Sequence, residues 1–255
     1  MIKVVVAGAF GRMGTTLSRM ITESQTLELV GGVDIRSGAQ FGAGVVEPAG
    51  LDAFLEEKRP DVLIDFTVAA AAVENIRCAA DHGIALVVGT TGFTDEQVAA
   101  NRSAIEGRVP AVISSNYSIG VNIFWQLVRA AAPLLAGYDV EVIEAHHRYK
   151  KDAPSGTAKT ILGILDETLG EREKTYGREG MAERGSEIGV HAIRGGDIVG
   201  DHAVLFAGNY ETITLSHRAY DRAVFATGAL RAAEWVVGRP AGFHTFAEVL
   251  GLEAR

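Results

Sequence analysis

The sequence lacks most of the features that mark a secreted, membrane or nucleic-acid-binding protein. It has one cysteine, Cys78, so no internal disulfide can form and no cysteine-based metal set is expected. Cys78 falls in an Ala-rich stretch of helical character and reads as a small core residue. No apolar run approaches the roughly 18 residues of a membrane-spanning helix. Basic charge is also scarce: 24 Lys+Arg stand against 32 Asp+Glu, a formal charge of −8. A general nucleic-acid binder needs a basic face, and that balance argues against one. There is no internal repeat and no long low-complexity tract. The opening MIKVVVAGAFGRMG is apolar but runs straight into a glycine-rich turn, without the layout of a signal peptide. Cytoplasmic residence is expected, with neither membrane nor nucleic acid as a partner.

What is present is an ordinary globular composition, 47% hydrophobic over 255 residues, enough for one large domain or two modest ones. The first half alternates short β-branched runs with helical patterns. Strands are expected at Ile2–Ala7, Leu27–Val33, Val62–Phe66, Ala85–Val88 and Ala111–Ser114. Helices are expected at Arg12–Ser24, at Ala69–His82 with Gly83 as its stop, and from the capping-box sequence Thr94–Gln97 to about Glu106. Strand–helix alternation of this kind implies a parallel sheet with helices on both faces. The rhythm then changes. A helix near Val121–Leu135, a strand at Val140–Ala145 and a helix capped by Ser155 and running to Leu169 come next. A polar stretch from Gly170 to Glu187 reads as a mobile loop. Strands near Ile188–Arg194, His202–Ala207 and Thr212–His217 lie close together in sequence, so antiparallel or mixed pairing is expected. Helices near Asp221–Val237 and Thr245–Leu250 finish the chain. The expected fold class is therefore α/β: an N-terminal Rossmann-like dinucleotide-binding domain plus a smaller α+β substrate domain with a mixed sheet.

The turn GAFGRMG ends the first strand and opens the first helix. Its spacing, Gly8-x-x-Gly11-x-x-Gly14, has one residue more than the usual G-x-G-x-x-G. Gly8 suits a tight turn, Gly11 a backbone that approaches a pyrophosphate, and Gly14 the packing of helix on strand. The helix start offers N–H groups and the positive end of its dipole to phosphates, and Arg12 adds a charge. Asp34 ends the second strand, where a carboxylate accepts hydrogen bonds from the adenosine ribose and repels a 2′-phosphate. Arg36 softens that repulsion. NADH is the expected carrier, with NADPH tolerated. GTTG (Gly89–Gly92) and SSNYSIGVN (Ser114–Asn122) follow later strands, at the strand ends where open α/β sheets bind ligands. Spacing alone leaves them balanced between nicotinamide contacts and ordinary polar loops.

A second concentration of chemistry is EAHHRYKKDAPSGTA, Glu144 to Ala158. An imidazole titrates near neutrality and exchanges protons at working pH. His146 and Lys150 are near enough in sequence for a bend to bring both to one ligand. Ser155, Gly156 and Thr157 place N–H groups at a helix start, a carboxylate site. The cluster suits a small anionic substrate, set against the alternative of a solvated basic face. A metal set is not expected, because His146 and His147 are adjacent and point to opposite faces of a strand. The other histidines, His82, His191, His202, His217 and His244, read as structural or solvated, and Trp125 and Trp235 as core. A generic nicotinamide oxidoreductase on a hydroxy or keto acid, and a nonenzymatic NAD-sensing protein, remain rival readings of the first domain.

GAFGRMG, VGTTGF, SSNYSIGVN, EAHHRYKKDAPSGTA, RGGDIVGDH and FATGALRAAEWVVG, in that order, resemble the dihydrodipicolinate (4-hydroxy-tetrahydrodipicolinate) reductase family of the diaminopimelate–lysine pathway. The resemblance implies that His146 is the proton donor and Lys150 a second acid facing the substrate. It implies that His147, Gly156 and Thr157 hold the substrate carboxylates. Cofactor contacts are implied for Gly8, Ala9, Phe10, Gly11, Arg12 and Met13, for Gly89, Thr90 and Thr91, and for Ser114, Ser115, Asn116 and Tyr117. Asp34 matches the acid on the ribose. The family often carries Arg directly after it, whereas this chain has Ile35 and then Arg36. The implied domains are 1–117 with 222–255 for the dinucleotide, and 118–221 for the substrate and for assembly into a homotetramer.

Overall fold

In the computed structural model, which describes residues 1–252, the fold begins with an apolar run that no single face can satisfy. β1 (Ile2–Ala7) is followed by α1 (Arg12–Thr22), β2 (Leu27–Val33), a hairpin of β3 (Gly38–Gln40) and β4 (Ala43–Val46), and α2 (Leu51–Lys58). Then come β5 (Val62–Asp65), α3 (Ala69–Asp81), β6 (Ala85–Val88), α4 (Asp95–Ile105) and β7 (Pro110–Ile113). β5 and β6 are buried at every position, as is β1 from Val4 to Ala7. Strands buried on both faces read as continuous apolar runs, and they pair in parallel, β1 with β2 and β5, β6 with β5 and β7. Leu63, Ile76, Leu86 and Ile105 anchor the core between sheet and helices. Each such side chain contributes about 1.5–3 kcal/mol relative to exposure. α4 starts where expected because Thr94 and Gln97 close a reciprocal capping box. The β3–β4 hairpin and α2 carried no clear signal in the sequence.

The second stretch contains α5 (Ile119–Ala131), β8 (Asp139–His146), α6 (Gly156–Leu169), β9 (Lys174–Tyr176), β10 (Ile188–Arg194), β11 (Gly200–Ala207) and β12 (Thr212–Ala219). Five strands form one mixed sheet in the order β12-β11-β8-β10-β9. β11 runs antiparallel to β8 and β12, while β10 is parallel to β8 and β9. Alternation along the strands sends Val140, Val142, Val190, Val204 and Phe206 to one face, where they pack with Phe124 of α5 and Ile161 and Leu165 of α6.

The segment from Gly170 to Glu187, read as a mobile loop, contains β9 and is pinned by charge. Arg184 bonds Asp139 and the carbonyls of Val140 and Glu187, and Arg178 pairs with Glu141 and Glu187. Backbone pairing at a sheet edge and these ion pairs give order that a hydrophobic period would not reveal.

The chain closes with α7 (Ala223–Val236), β13 (Gly242–His244) and α8 (Phe246–Leu250). β13 adds in parallel to β7, completing an eight-stranded sheet in the order β13-β7-β6-β5-β1-β2-β4-β3. The chain divides into two compact units: Met1–Ser118 with Ala223 onward, and Ile119–Arg222.

Candidate active site

In the first unit, the functional candidates gather at the carboxyl ends of the parallel strands, where α/β sheets bind ligands. Gly8 takes a left-handed φ of 77° that other residues resist, and its N–H donates to Val33 O at 2.8 Å. A Cβ at Gly14 would stand 2.0 Å from Gly8 O, so only glycine lets α1 pack this closely on the turn. Gly11 caps α1 with no side-chain bond, leaving the helix start without a side-chain acceptor of its own. Arg12 and Met13 form its first turn. Ala9 is buried beneath the turn, and Phe10 donates its N–H to Asp34 Oδ2 at 2.8 Å. The Asp34 carboxylate therefore sits against the turn at the end of β2, with spare lone pairs for ribose hydroxyls. The Arg36 guanidinium lies over the Phe10 ring at 4.9 Å, on the same side of the turn. An unblocked helix start, a close-packed glycine turn and an acid beside it fit a dinucleotide.

Asp65, fully buried at the end of β5, organises the next two loops. It accepts from Thr67 Oγ1 (2.8 Å), Thr90 Oγ1 (2.7 Å) and Asn75 Nδ2 (2.7 Å). Thr90 thus spends its hydroxyl internally, while Gly89 donates its N–H to Asp65 O and Thr91 faces solvent. After β7, Ser114 Oγ donates to Asn116 O and accepts from Asn116 N. Ser115 is exposed, and Asn116 Oδ1 accepts from Ser118 N at 2.8 Å. The Tyr117 ring is buried, with its hydroxyl on the carbonyls of Val88 (3.0 Å) and Val112 (2.7 Å). Its side chain is therefore spent inside the unit rather than offered to a ligand.

In the second unit, β8 delivers Glu144 and His146 to one face, two residues apart. His146 Nδ1 lies 2.6 Å from Glu144 Oε2. The rest of the buried carboxylate is taken up by a fork from Arg194, at 2.8 Å from both its terminal nitrogens, and by Ser155 N–H at 3.0 Å. Arg194 also donates to Asp152 O at 2.6 Å, tying this centre to the loop that carries Lys150. Burial works to raise the Glu144 pKa, but Arg194, His146 and the Ser155 amide outweigh it and hold the acid below its ordinary value. Burial pushes His146 below its usual pKa. Glu144 opposes this, and Lys150 and Arg194 add to it. With Nδ1 engaged, Nε2 is the nitrogen left for proton exchange.

His202 pairs with Glu144 in register, and its ring meets His146 edge-on at 5.1 Å. Its Nε2 and Ser155 Oγ lie 3.0 Å apart, and burial drops its pKa to about 3, so it stays neutral. Ser155 also caps α6 by accepting from Ala158 N at 3.2 Å. Gly156 and Thr157 open that helix at its positive end, and a Cβ at Gly156 would meet nothing within 4 Å, so its backbone can be approached. Lys150 Nζ pairs with Asp152 at 2.9 Å, and Lys150 N–H closes a turn on His147 O. His147 has a buried Nδ1 without a partner.

The N-terminal family model of dihydrodipicolinate reductase matches residues 2–117 and the C-terminal model residues 120–250. The chain belongs to this family. It is 68% identical to the 4-hydroxy-tetrahydrodipicolinate reductase of Methanoregula boonei, over 99% of each chain. It is likewise 68% identical to that of Methanoculleus marisnigri, over 99% of this chain and 100% of the relative. A dipicolinate-bound dihydrodipicolinate reductase from Paenisporosarcina sp. TG-14 shares the fold with a TM-score of 0.80 and 26% identity, covering 97% and 98% of the two chains. The family is one of oxidoreductases, and the first unit has its dinucleotide-binding fold.

Sequence reasoning singled out His146, Lys150, Gly156 and Thr157 but not the groups that hold them. Glu144 and Arg194 carried no assigned role, and His202, read as structural or solvated, is buried against Ser155 and His146. The signal for Glu144 was its two-residue spacing from His146 on a strand. For Arg194 and His202 it was the strand register, invisible before the sheet is known.

Proposed function

We propose that this chain reduces 4-hydroxy-tetrahydrodipicolinate, by way of dihydrodipicolinate, to tetrahydrodipicolinate in diaminopimelate and lysine biosynthesis. Water is lost first, a hydride then adds at C4 of the conjugated ring, and a proton adds at C3. When bound, the reduced dinucleotide supplies the hydride and leaves oxidised. In this reading residues 1–117 and 222–255 bind the dinucleotide, and 118–221 bind the substrate. Gly8–Met13, Gly89–Thr91 and Ser114–Tyr117 contact the carrier, and Asp34 accepts from the ribose. His147, Gly156 and Thr157 hold the substrate carboxylates, while Lys150 neutralises one and assists protonation. His146 Nε2 delivers the C3 proton, with its ring fixed by the 2.6 Å bond to Glu144, which is the observation that carries the proposal.

A positioned acid contributes typically about 10²–10⁴-fold. His146→Gln is therefore expected to lose turnover on that scale with dinucleotide affinity nearly unchanged. Equal loss of both would remove His146 from the proton step. Lys150→Ala is expected to lower kcat and raise KM together. The direct assay mixes protein, NADH and freshly generated substrate and follows nicotinamide absorbance. Absence of turnover with either carrier would overturn the proposal.

Asp34 beside the turn favours NADH, with Arg36 leaving NADPH tolerated, and parallel titrations of the two carriers give the ratio. We also assign a cytoplasmic homotetramer. α5 and α6 cover one face of the second sheet. The opposite face carries Ile143, Leu205 and the half-exposed Ile193, an apolar area suited to a second copy. Light scattering on the purified chain tests that assembly.

A further inference from the structure

Cys78 and His82 lie four positions apart on and just after α3, so they share one side of the helix. Asp52, in the first turn of α2, faces the same point. Its Oδ1 stands 3.0 Å from His82 Nε2 and 4.0 Å from Cys78 Sγ. The three donor atoms lie within 4.8 Å of one another, and none belongs to the sites described above. A tetrahedral zinc ion with bonds of about 2.0–2.3 Å keeps its donors roughly 3.2–3.6 Å apart. The two observed spacings bracket that range. The thiol is held in the core and the imidazole is mostly covered, while the Asp52 side chain is 83% exposed and free to make the small adjustment. Burial and the Asp52 carboxylate push the Cys78 thiol above its ordinary pKa, with Arg77 opposing them, so the ion itself must displace the thiol proton.

We propose that Asp52, Cys78 and His82 form a binding site for a thiophilic divalent cation of the zinc class, three protein ligands and one water. Sulfur and imidazole select such an ion over magnesium or calcium, which take oxygen donors. Binding replaces the Cys78 proton with a sulfur–metal bond and releases that proton to solvent; nothing is oxidised or reduced. The ion joins α2 to α3, so it stabilises the first unit and leaves the reductase machinery untouched.

The test uses the full chain stripped with chelator and then titrated with cobalt(II) or zinc(II) alone. One equivalent of cobalt is expected to produce a near-ultraviolet thiolate-to-cobalt band that zinc displaces, and zinc is expected to raise Tm. Cys78→Ser and Asp52→Ala should each weaken zinc binding at least tenfold. Asp52 is exposed, so its variant reads out binding even where a change at Cys78 disturbs the core. A wild-type chain that takes up cobalt without the band, or not at all, would overturn the site. So would zinc affinity unchanged in both variants, which would locate the metal among the other histidines.

Discussion

Glu144 has no exposed side-chain surface, and an unpaired buried carboxylate costs several kcal/mol. It persists because donors from His146, Arg194 and Ser155 surround it. Removing the fork should cost far more than an ordinary surface change. Arg194→Met is expected to destabilise the chain by about 3–5 kcal/mol, since it leaves the carboxylate buried with half its partners. Chemical denaturation measures this directly. Glu144→Gln tests the other half of the pair. The anion raises the His146 pKa against burial, so its loss lowers that pKa further. An acid with a lower pKa is protonated over a narrower range. The decline of kcat on the alkaline side should therefore move to lower pH, while the KM for dinucleotide holds. A profile that stays in place would mean Glu144 acts only in folding.

At the scale of elements, close approach decides what the helices tolerate. A Cβ at Gly228 of α7 would stand 1.7 Å from Tyr117 O, whereas one at Gly163 of α6 meets nothing within 4 Å. Gly228→Ala should destabilise by about 1–3 kcal/mol through overpacking. Gly163→Ala should stabilise by about 0.5–1 kcal/mol by removing helix-interior glycine. Thermal melts of the two variants are expected to move in opposite directions. The same scale explains what could be read without the structure. β1, β5 and β6 announce themselves as short, mostly apolar runs rich in β-branched residues because both their faces are largely buried, and α4 through its capping box. β3, β9 and β13 have three residues each, too few for a period, and exist because a neighbouring strand offers hydrogen bonds. His146 was legible as a titratable group in an unusual run. Glu144 was not, because its importance comes from being buried beside an arginine 50 residues away. The Asp52–Cys78–His82 cluster was hidden similarly: Cys78 reads as core and His82 as structural, and Asp52 lies on α2, which carries no clear signal in the sequence.

For the whole molecule, buried histidines set the response to acid. Burial holds His202 near a pKa of about 3, against 6.5 for an ordinary imidazole. Between those values the unfolded chain binds a proton that the folded chain refuses. Stability is therefore full above about pH 6.5 and falls as pH drops, by about 1.4 kcal/mol per pH unit for each such group. His146 and His217, also lowered by burial, add over the upper part of that window. Glu141 and Glu144, held below the usual carboxylate value of 4.5, add a second loss beneath it. Calorimetry from pH 8 to 4 should give a Tm that declines below neutrality and steepens near pH 4.5. His202→Gln should flatten the upper limb, and an unchanged slope would show that another group carries it.

The order of the chain has a consequence for biosynthesis. α7 supplies Ala226, Ala229, Ala232 and Ala233 to the interior of the first unit, and β13 supplies its last strand, yet both follow the second unit in sequence. On the ribosome, the dinucleotide-binding sheet must wait, unfinished and with apolar surface uncovered, while 104 further residues from Ile119 to Arg222 are made. The inserted unit is complete as soon as it emerges, so the half of the protein begun first is the half that matures last.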